Sequence, residues 1–314
     1  MNPSAVEPSR IEGRKARSLS AQAQKRIFLI VALTPALGGY ALFTLYPNLL
    51  AIVYSLLDWN GISEPRFVGL QNFKALAHDP YVWRALKHNL FFAVTVPVSV
   101  IAISLVLAYI LTNKGYKGSG IFKVLFFFPN VLSSVIVALL WTFIYDGSFG
   151  ILNALLRLIG VHMDNYYWLG EKSTAIWAIV PPSVWGGVGF YVVIIINAMT
   201  SIPPSLYESA KLDGASHMTR LFRITLPLIM PIIRVCALFL MLGTIKGFEQ
   251  VLILTNGGPS GSTEVIGLYM FNMAFGTDFH NYGYASAVGM LLFAILVSAK
   301  VIMDKALPNR SYEY

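Results

Sequence analysis

Residues 203–227 read PPSLYESAKLDGASHMTRLFRITLP, a polar island between two long apolar runs. Proline lacks an amide donor and disfavours a helical residue before it, so Pro203 and Pro204 end the helix that precedes them. Ser205 stands three residues before Glu208, the spacing of a capping box, which predicts a short helix from about Leu206 to Asp213 stopping near Gly214. Ser216 is placed to cap a second short helix that carries Arg220 and Arg223 and ends where Pro227 opens the next apolar run. Two stubby helices set at an angle and tethered at both ends make a rigid knob that can transmit force.

The flanking runs decide the class. The chain has 314 residues, of which 56% are hydrophobic and only 12% charged, half the roughly 25% of a soluble domain. The expected fold is all-α and integral to a membrane, with six spans at about 27–57, 89–111, 121–145, 173–200, 228–254 and 284–303. The first run is too long for a signal peptide and has no small-residue cleavage site. Pro129 is the expected kink of the third span. Gly186, Gly187 and Gly189 in the fourth permit close helix approach.

Residues 1–26 read as a disordered basic cytosolic tail, 27–304 as the membrane domain with its knob at 203–227, and 305–314 as a short cytosolic tail. Fifteen of the 23 Lys and Arg fall in the segments that six spans put on the side of both termini, against six in the opposite loops. The positive-inside rule therefore puts both termini and the knob in the cytosol. The same placement accounts for the net charge of +8 without nucleic acid.

Several chemistries are excluded. No Walker A pattern occurs, and Gly186-Gly187-Val188-Gly189 lies inside an apolar span, so this chain has no nucleotide pocket of that kind. The five histidines are scattered without metal-ligand spacing, and neither G-x-S-x-G nor H-E-x-x-H is present. The single cysteine, Cys236, sits in an apolar run. Lys246 and Glu249 fall at the outer end of the fifth span, Lys246 about 27 Å along the helix from Leu228 at ~1.5 Å per residue. They are three apart, so they either pair on one face or take part in a pathway.

The pattern Glu208-Ser209-Ala210, three residues, Gly214, nine residues, Ile224-Thr225-Leu226-Pro227 resembles the EAA loop of binding-protein-dependent ABC importers, with Ser209 where Ala is usual. Gly69-Leu70-Gln71-Asn72-Phe73 resembles the GLxNF signature after the first core span of sugar-type permeases, where a short amphipathic helix is expected. Phe248–Pro259, FEQVLILTNGGP, and Phe275 resemble the maltose-type permeases, so the likeness covers nearly the whole chain from Ile27 on. It implies the type I importer fold and the first permease subunit of the carbohydrate-uptake group. The maltose-type subunit also has two extra N-terminal spans and a large outer domain, which this sequence does not show.

Carried over residue by residue, the resemblance implies that Glu208, Ser209, Ala210, Gly214, Ile224, Leu226 and Pro227 couple to an ATPase. The solute pathway would involve Asn130 and Ser134 after Phe128-Pro129, Ser183 and Gly187 around Trp185, and Leu240, Thr244 and Gly247 before the TNGGP turn. At i, i+4 spacing Asn130 and Ser134 would share one helix face, and Leu240, Thr244 and Gly247 another. Asn130, Leu240 and Gly247 differ from the maltose-type residues, which argues against maltose itself.

The partners implied are a second permease subunit, two ATPase subunits holding ATP and Mg, a solute-binding protein, membrane lipid and a sugar or polyol; this chain holds no cofactor and no metal. Its place would be the bacterial inner membrane. The competing reading is a stand-alone ion-coupled secondary transporter, which calls for internal repeats and carboxylates near mid-membrane. Glu249 lies near the outer edge, and no Asp occurs in the proposed spans.

Overall fold

The computed structural model describes residues 20–112, 119–163, 165–276 and 280–306. The chain falls into two compact units, Met1–Leu50 and Ala51–Tyr314. The fold is almost wholly helical. Among the described residues five helices, Ala21–Tyr54, Pro80–Thr112, Ala175–Thr200, His217–Lys246 and Tyr282–Lys305, are long and apolar enough to cross a membrane. A sixth crossing exists if the bent pair Gly120–Val131 and Ser134–Ile144 counts as one span.

Helix α1 (Ala21–Tyr40) begins where the Ser20 side chain accepts from the Ala23 amide at 3.3 Å. Residues 21–26, expected in the disordered tail, are therefore helical; residues 1–19 lie outside the described residues, as do the 113–118 loop and most of the C-terminal tail. A π turn, Ala41–Leu45, joins α1 to α2 (Tyr46–Tyr54). The cause is Pro47, which removes the donor that would have closed on Phe43, so the Tyr46 amide reaches back to Ala41 instead. No residue of α1 or α2 is buried, and Phe28 and Phe43 are 70% and 78% exposed.

In the larger unit a two-residue hairpin, β1 (Leu57–Asp58) with β2 (Arg66–Phe67), leads to α3 (Gln71–His78), the expected amphipathic helix. Asn72 of the GLxNF signature ties that helix down, donating to the Ser55 and Leu57 carbonyls at 2.9 Å each. The core is built on α4 (Pro80–Thr112), which packs against α9 (Val180–Thr200) and α12 (Leu226–Lys246). Val100, Val192 and Ile195 are fully buried in that seam, and the Ser104 hydroxyl donates to the Val188 carbonyl at 3.1 Å.

Gly189 lets α9 approach α5 (Ser119–Val131) so closely that a Cβ there would lie 2.0 Å from the Phe126 carbonyl oxygen. Two shorter helices, α7 (Ile151–Leu158) and α8 (Ala175–Ala178), precede α9. After α12 come α13 (Glu249–Leu254), α14 (Ile266–Phe275) and α15 (Tyr282–Ala306).

Two expected spans are broken. The third turns through 100° between α5 and α6 (Ser134–Ile144), at Leu132 and Ser133 rather than at Pro129. Pro129 lies inside α5, and the Ser133 side chain caps the new helix by accepting from the Ile136 amide. The fifth ends at Lys246: Gly247 is extended (φ −73°, ψ 131°), so α13 is a separate helix. Asn130 and Ser134 thus stand on different helices, and Gly247 caps the end of the face it was expected to share with Leu240 and Thr244.

Candidate functional site

Both breaks open onto one cavity of about 370 Å³ between α4, α5, α6, α9, α12 and α13. A backbone break frees carbonyls and amides that a continuous helix would satisfy, so breaks in apolar spans occur where the backbone lines a cavity or is held by other groups. Here Asn89 of α4, buried and not singled out from the sequence, does the holding. It donates to the Ile245 carbonyl at 2.8 Å and accepts from the Ile266 amide at 2.7 Å, stitching the end of α12 to the start of α14.

Six of the seven residues expected in the solute pathway line this cavity: Asn130, Ser134, Ser183, Leu240, Thr244 and Gly247. Gly187 does not; it packs on Val100, where its missing Cβ would meet the valine methyls at 3.5 and 3.8 Å. Asn130 donates to the Gly186 carbonyl at 3.2 Å across the α5–α9 seam. The Thr244 hydroxyl donates back to its own helix, to Leu240 or Met241, which leaves its oxygen lone pairs for the cavity.

Two lining residues carry more polarity than any of these. Glu249 accepts from the Ser134 hydroxyl at 2.9 Å, and Gln250 accepts from the Ser183 hydroxyl. Of the two arrangements expected for Lys246 and Glu249, pairing on one face of a continuous helix is removed by the break at Gly247. Among the described residues Glu249 is partnered by Ser134, and Lys246 does not line the cavity. Phe92, Tyr191, Phe239 and Phe248 supply aromatic walls. Such a cavity offers hydroxyl-binding acceptors beside apolar ring faces, which suits a polyhydroxylated solute.

The 203–227 stretch folds into two short helices, α10 (Pro204–Leu212) and α11 (His217–Arg220). The expected capping box at Ser205 is absent: Pro203 is the N-cap, and Pro204, with its preset φ, takes the first helical position. Ser205 is thereby carried inside the helix, where its side chain cannot cap. Gly214 (φ +76°) closes α10, with the Ala215 amide bonded to the Ala210 carbonyl at 2.9 Å and the Gly214 amide to Lys211 at 3.2 Å. Ser216 caps α11 as expected, accepting from the Thr219 amide at 3.2 Å.

Ile224 lies in a π turn, Leu221–Thr225, forced by Pro227 as Pro47 forces the earlier one, and Leu226 and Pro227 open α12. Tyr207 braces α10 against that turn through Thr225, oxygen to oxygen at 2.9 Å. Glu208 lines a second cavity of about 520 Å³ with Lys211 and Arg220, while Ser209 is exposed and Ala210 half-buried. The knob also shows large apolar side chains outward: Leu212 is 90% exposed, and Met218 and Phe222 are over 60%.

At the opposite end of α4, Asp79 gathers three elements. Its carboxylate accepts from Tyr269 of α14 at 2.5 Å, from Tyr284 of α15 at 2.6 Å and from the Tyr81 amide at 2.9 Å. Burial pushes this carboxyl up, but the tyrosine and backbone donors outweigh it and hold it below the usual carboxylate range. Glu264 goes the other way, raised by burial and by Asp79 against the pull of Arg84 and a bond to Asn272.

Residues 100–309 match the family described as binding-protein-dependent transport system inner membrane component. The chain is 35% identical to the probable ABC transporter permease protein YurN of Bacillus subtilis (strain 168), over 90% of this chain and 96% of that one. It is 34% identical to the diacetylchitobiose uptake system permease protein NgcF of Streptomyces coelicolor, over 88% and 81%. Among solved structures it superimposes on a bacterial ABC transporter involved in import of the acidic polysaccharide alginate, with TM-score 0.76 and 26% identity, covering 92% of this chain and 99% of that one. The chain belongs to the binding-protein-dependent transport system inner membrane component family, as a permease subunit of an ABC importer, embedded in the membrane and not itself the ATPase.

Proposed function

We propose that this chain forms one half of the translocation pathway of an ATP-driven importer for a saccharide or related polyol, with the 370 Å³ cavity as its share of the solute route. The observation that carries the reading is the cavity itself: two broken helices converge on polar acceptors and aromatic walls, with Asn130, Ser134, Ser183, Leu240, Thr244 and Gly247 around it. Relatives named for diacetylchitobiose, starch degradation products and lactose support the saccharide class. A binding protein delivers the solute, as the alginate importer's complex with its periplasmic protein supports.

A second permease subunit completes the pathway, and two ATPase chains hold ATP and Mg beneath it. The knob fits a groove on one ATPase through Glu208, Ser209, Ala210 and its outward apolar side chains, and Gly214 fixes the angle between its helices. Both termini and the knob face the cytosol. Closure of the ATPases then pushes the knob and shifts the population between inward- and outward-facing arrangements; that shift needs ATP to bind one arrangement more tightly than the other. Proteoliposomes holding the four-chain complex test this: saccharide uptake should require ATP and the binding protein. Uptake driven by an ion gradient through this chain alone would contradict it.

A further inference from the structure

We infer that Glu249 makes this chain's half of the pathway a charge filter that accepts neutral or amine-bearing saccharides and turns away those bearing carboxylates. The inference rests on the reading of the cavity as the solute route. Among the cavity's lining residues Glu249 alone carries a formal charge; no Lys, Arg or His lines it. A carboxylate in the first turn of a helix is stabilised by the helix dipole, which explains an acid at the head of α13 but not its direction. The direction comes from Ser134 at the start of α6, whose hydroxyl donates to the carboxylate at 2.9 Å.

Lys246, the nearest cation in sequence, ends α12 on the far side of the Gly247 break, and among the described residues Glu249 makes no ion pair. Gln250, the next residue, has its oxygen engaged by Ser183 and so keeps amide N–H donors free, while the Glu249 carboxylate, held by Ser134, has only acceptors to offer. Acceptors of this kind bond sugar hydroxyls and ammonium groups. The Glu249 carboxylate repels the negative charge of a uronate.

Gly243 supplies the reporter. It lines the cavity, and a Cβ on it would meet no atom within 4 Å, so Gly243→Cys puts a thiol in open space; the native Cys236 is buried. In the assembled complex, labelling of this thiol by cationic trimethylammonioethyl and anionic sulfonatoethyl methanethiosulfonate is followed by mass spectrometry of this chain. Glu249→Gln should lower the cation-to-anion rate ratio about tenfold, the order expected for removing one charge that shares the cavity with the thiol, at an effective dielectric between protein and water.

Maltotriose, chitosan trisaccharide and trigalacturonate, at equal concentration, then serve as protectants against labelling. The first two should slow it and the third should not, and Glu249→Gln should let trigalacturonate protect. Equal protection by trigalacturonate in the unmodified cavity, or a rate ratio that ignores Glu249→Gln, overturns the filter while leaving the pathway standing. Protection by none of the three overturns the pathway reading and the filter with it.

Discussion

Gly189→Ala tests whether the close contact of α9 with α5 shapes the cavity. The added Cβ would sit 2.0 Å from the Phe126 carbonyl oxygen, 2.6 Å from its carbon and 2.7 Å from the Phe127 Cα, whereas ordinary contact begins at 3.4 Å. The helices must therefore part by about 1.4 Å, the difference between 3.4 and 2.0 Å. All three obstacles are backbone, so no side chain can rotate away. Overpacking of this kind costs about 1–3 kcal/mol, here at the upper end, against a gain of about 1 kcal/mol from replacing a helical glycine.

The net loss is about 2 kcal/mol, or about 3 °C in melting temperature at ~2.1 cal/mol/K per residue for a chain of 314 residues. Gly186→Ala brings the same helix gain with nothing within 4 Å to oppose it, and is the matched control. Melting of the purified complex by intrinsic fluorescence reads both. The parting also stretches the Asn130–Gly186 bond in the same seam beyond its present 3.2 Å, so sugar protection of Gly243→Cys should weaken in Gly189→Ala. If Gly189→Ala melts no lower than Gly186→Ala, the account of the α5–α9 contact is wrong.

Other expectations follow from the polar anchors. Asn89→Ala leaves the Ile245 carbonyl and the Ile266 amide buried without their partner, which should cost about 2–4 kcal/mol by the same melting assay. Because Asp79 is held below the usual carboxylate range, its contribution is complete above that range and is lost as the pH falls through its lowered value. Asp79→Asn should flatten the acid limb of a stability–pH curve and cost about 1 kcal/mol near neutrality, discounted for solvent around the carboxylate. Gly214→Asp places a side chain at φ +76° with no steric obstacle, costing about 1–2 kcal/mol locally. The complex should still reach the membrane while ATP-coupled uptake falls; undiminished uptake removes Gly214 from coupling.

Much of this was legible in the residues because the strongest signals are local. The Ser216 cap, the helix stop at Gly214 and the helix after Gly69 all depend on a few neighbouring residues, and each stands where the pattern put it. The capping box failed because two signals competed for one helix start, and the rigid ring of Pro204 occupied the position that Ser205 needed outside the helix. The breaks at Leu132–Ser133 and Gly247 were hidden by continuous hydropathy, which reports burial in lipid but not the direction of the backbone.

Missing the breaks then misplaced Glu249, since face-sharing with Lys246 presumes an unbroken helix. Asn89, which secures one break from 156 residues away, gives no local sign of doing so. A polar residue inside an apolar span was the available cue.

The central claim is that the knob is pushed by an ATPase. Single cysteines at Ser209 and Ala215, with a short bifunctional crosslinker, measure it in the assembled, ATP-competent complex. Crosslinks from this chain to the ATPase are expected, with a yield that changes between nucleotide-free and vanadate-trapped states. A complex that hydrolyses ATP and imports solute, yet never joins either position to the ATPase, would contradict the account.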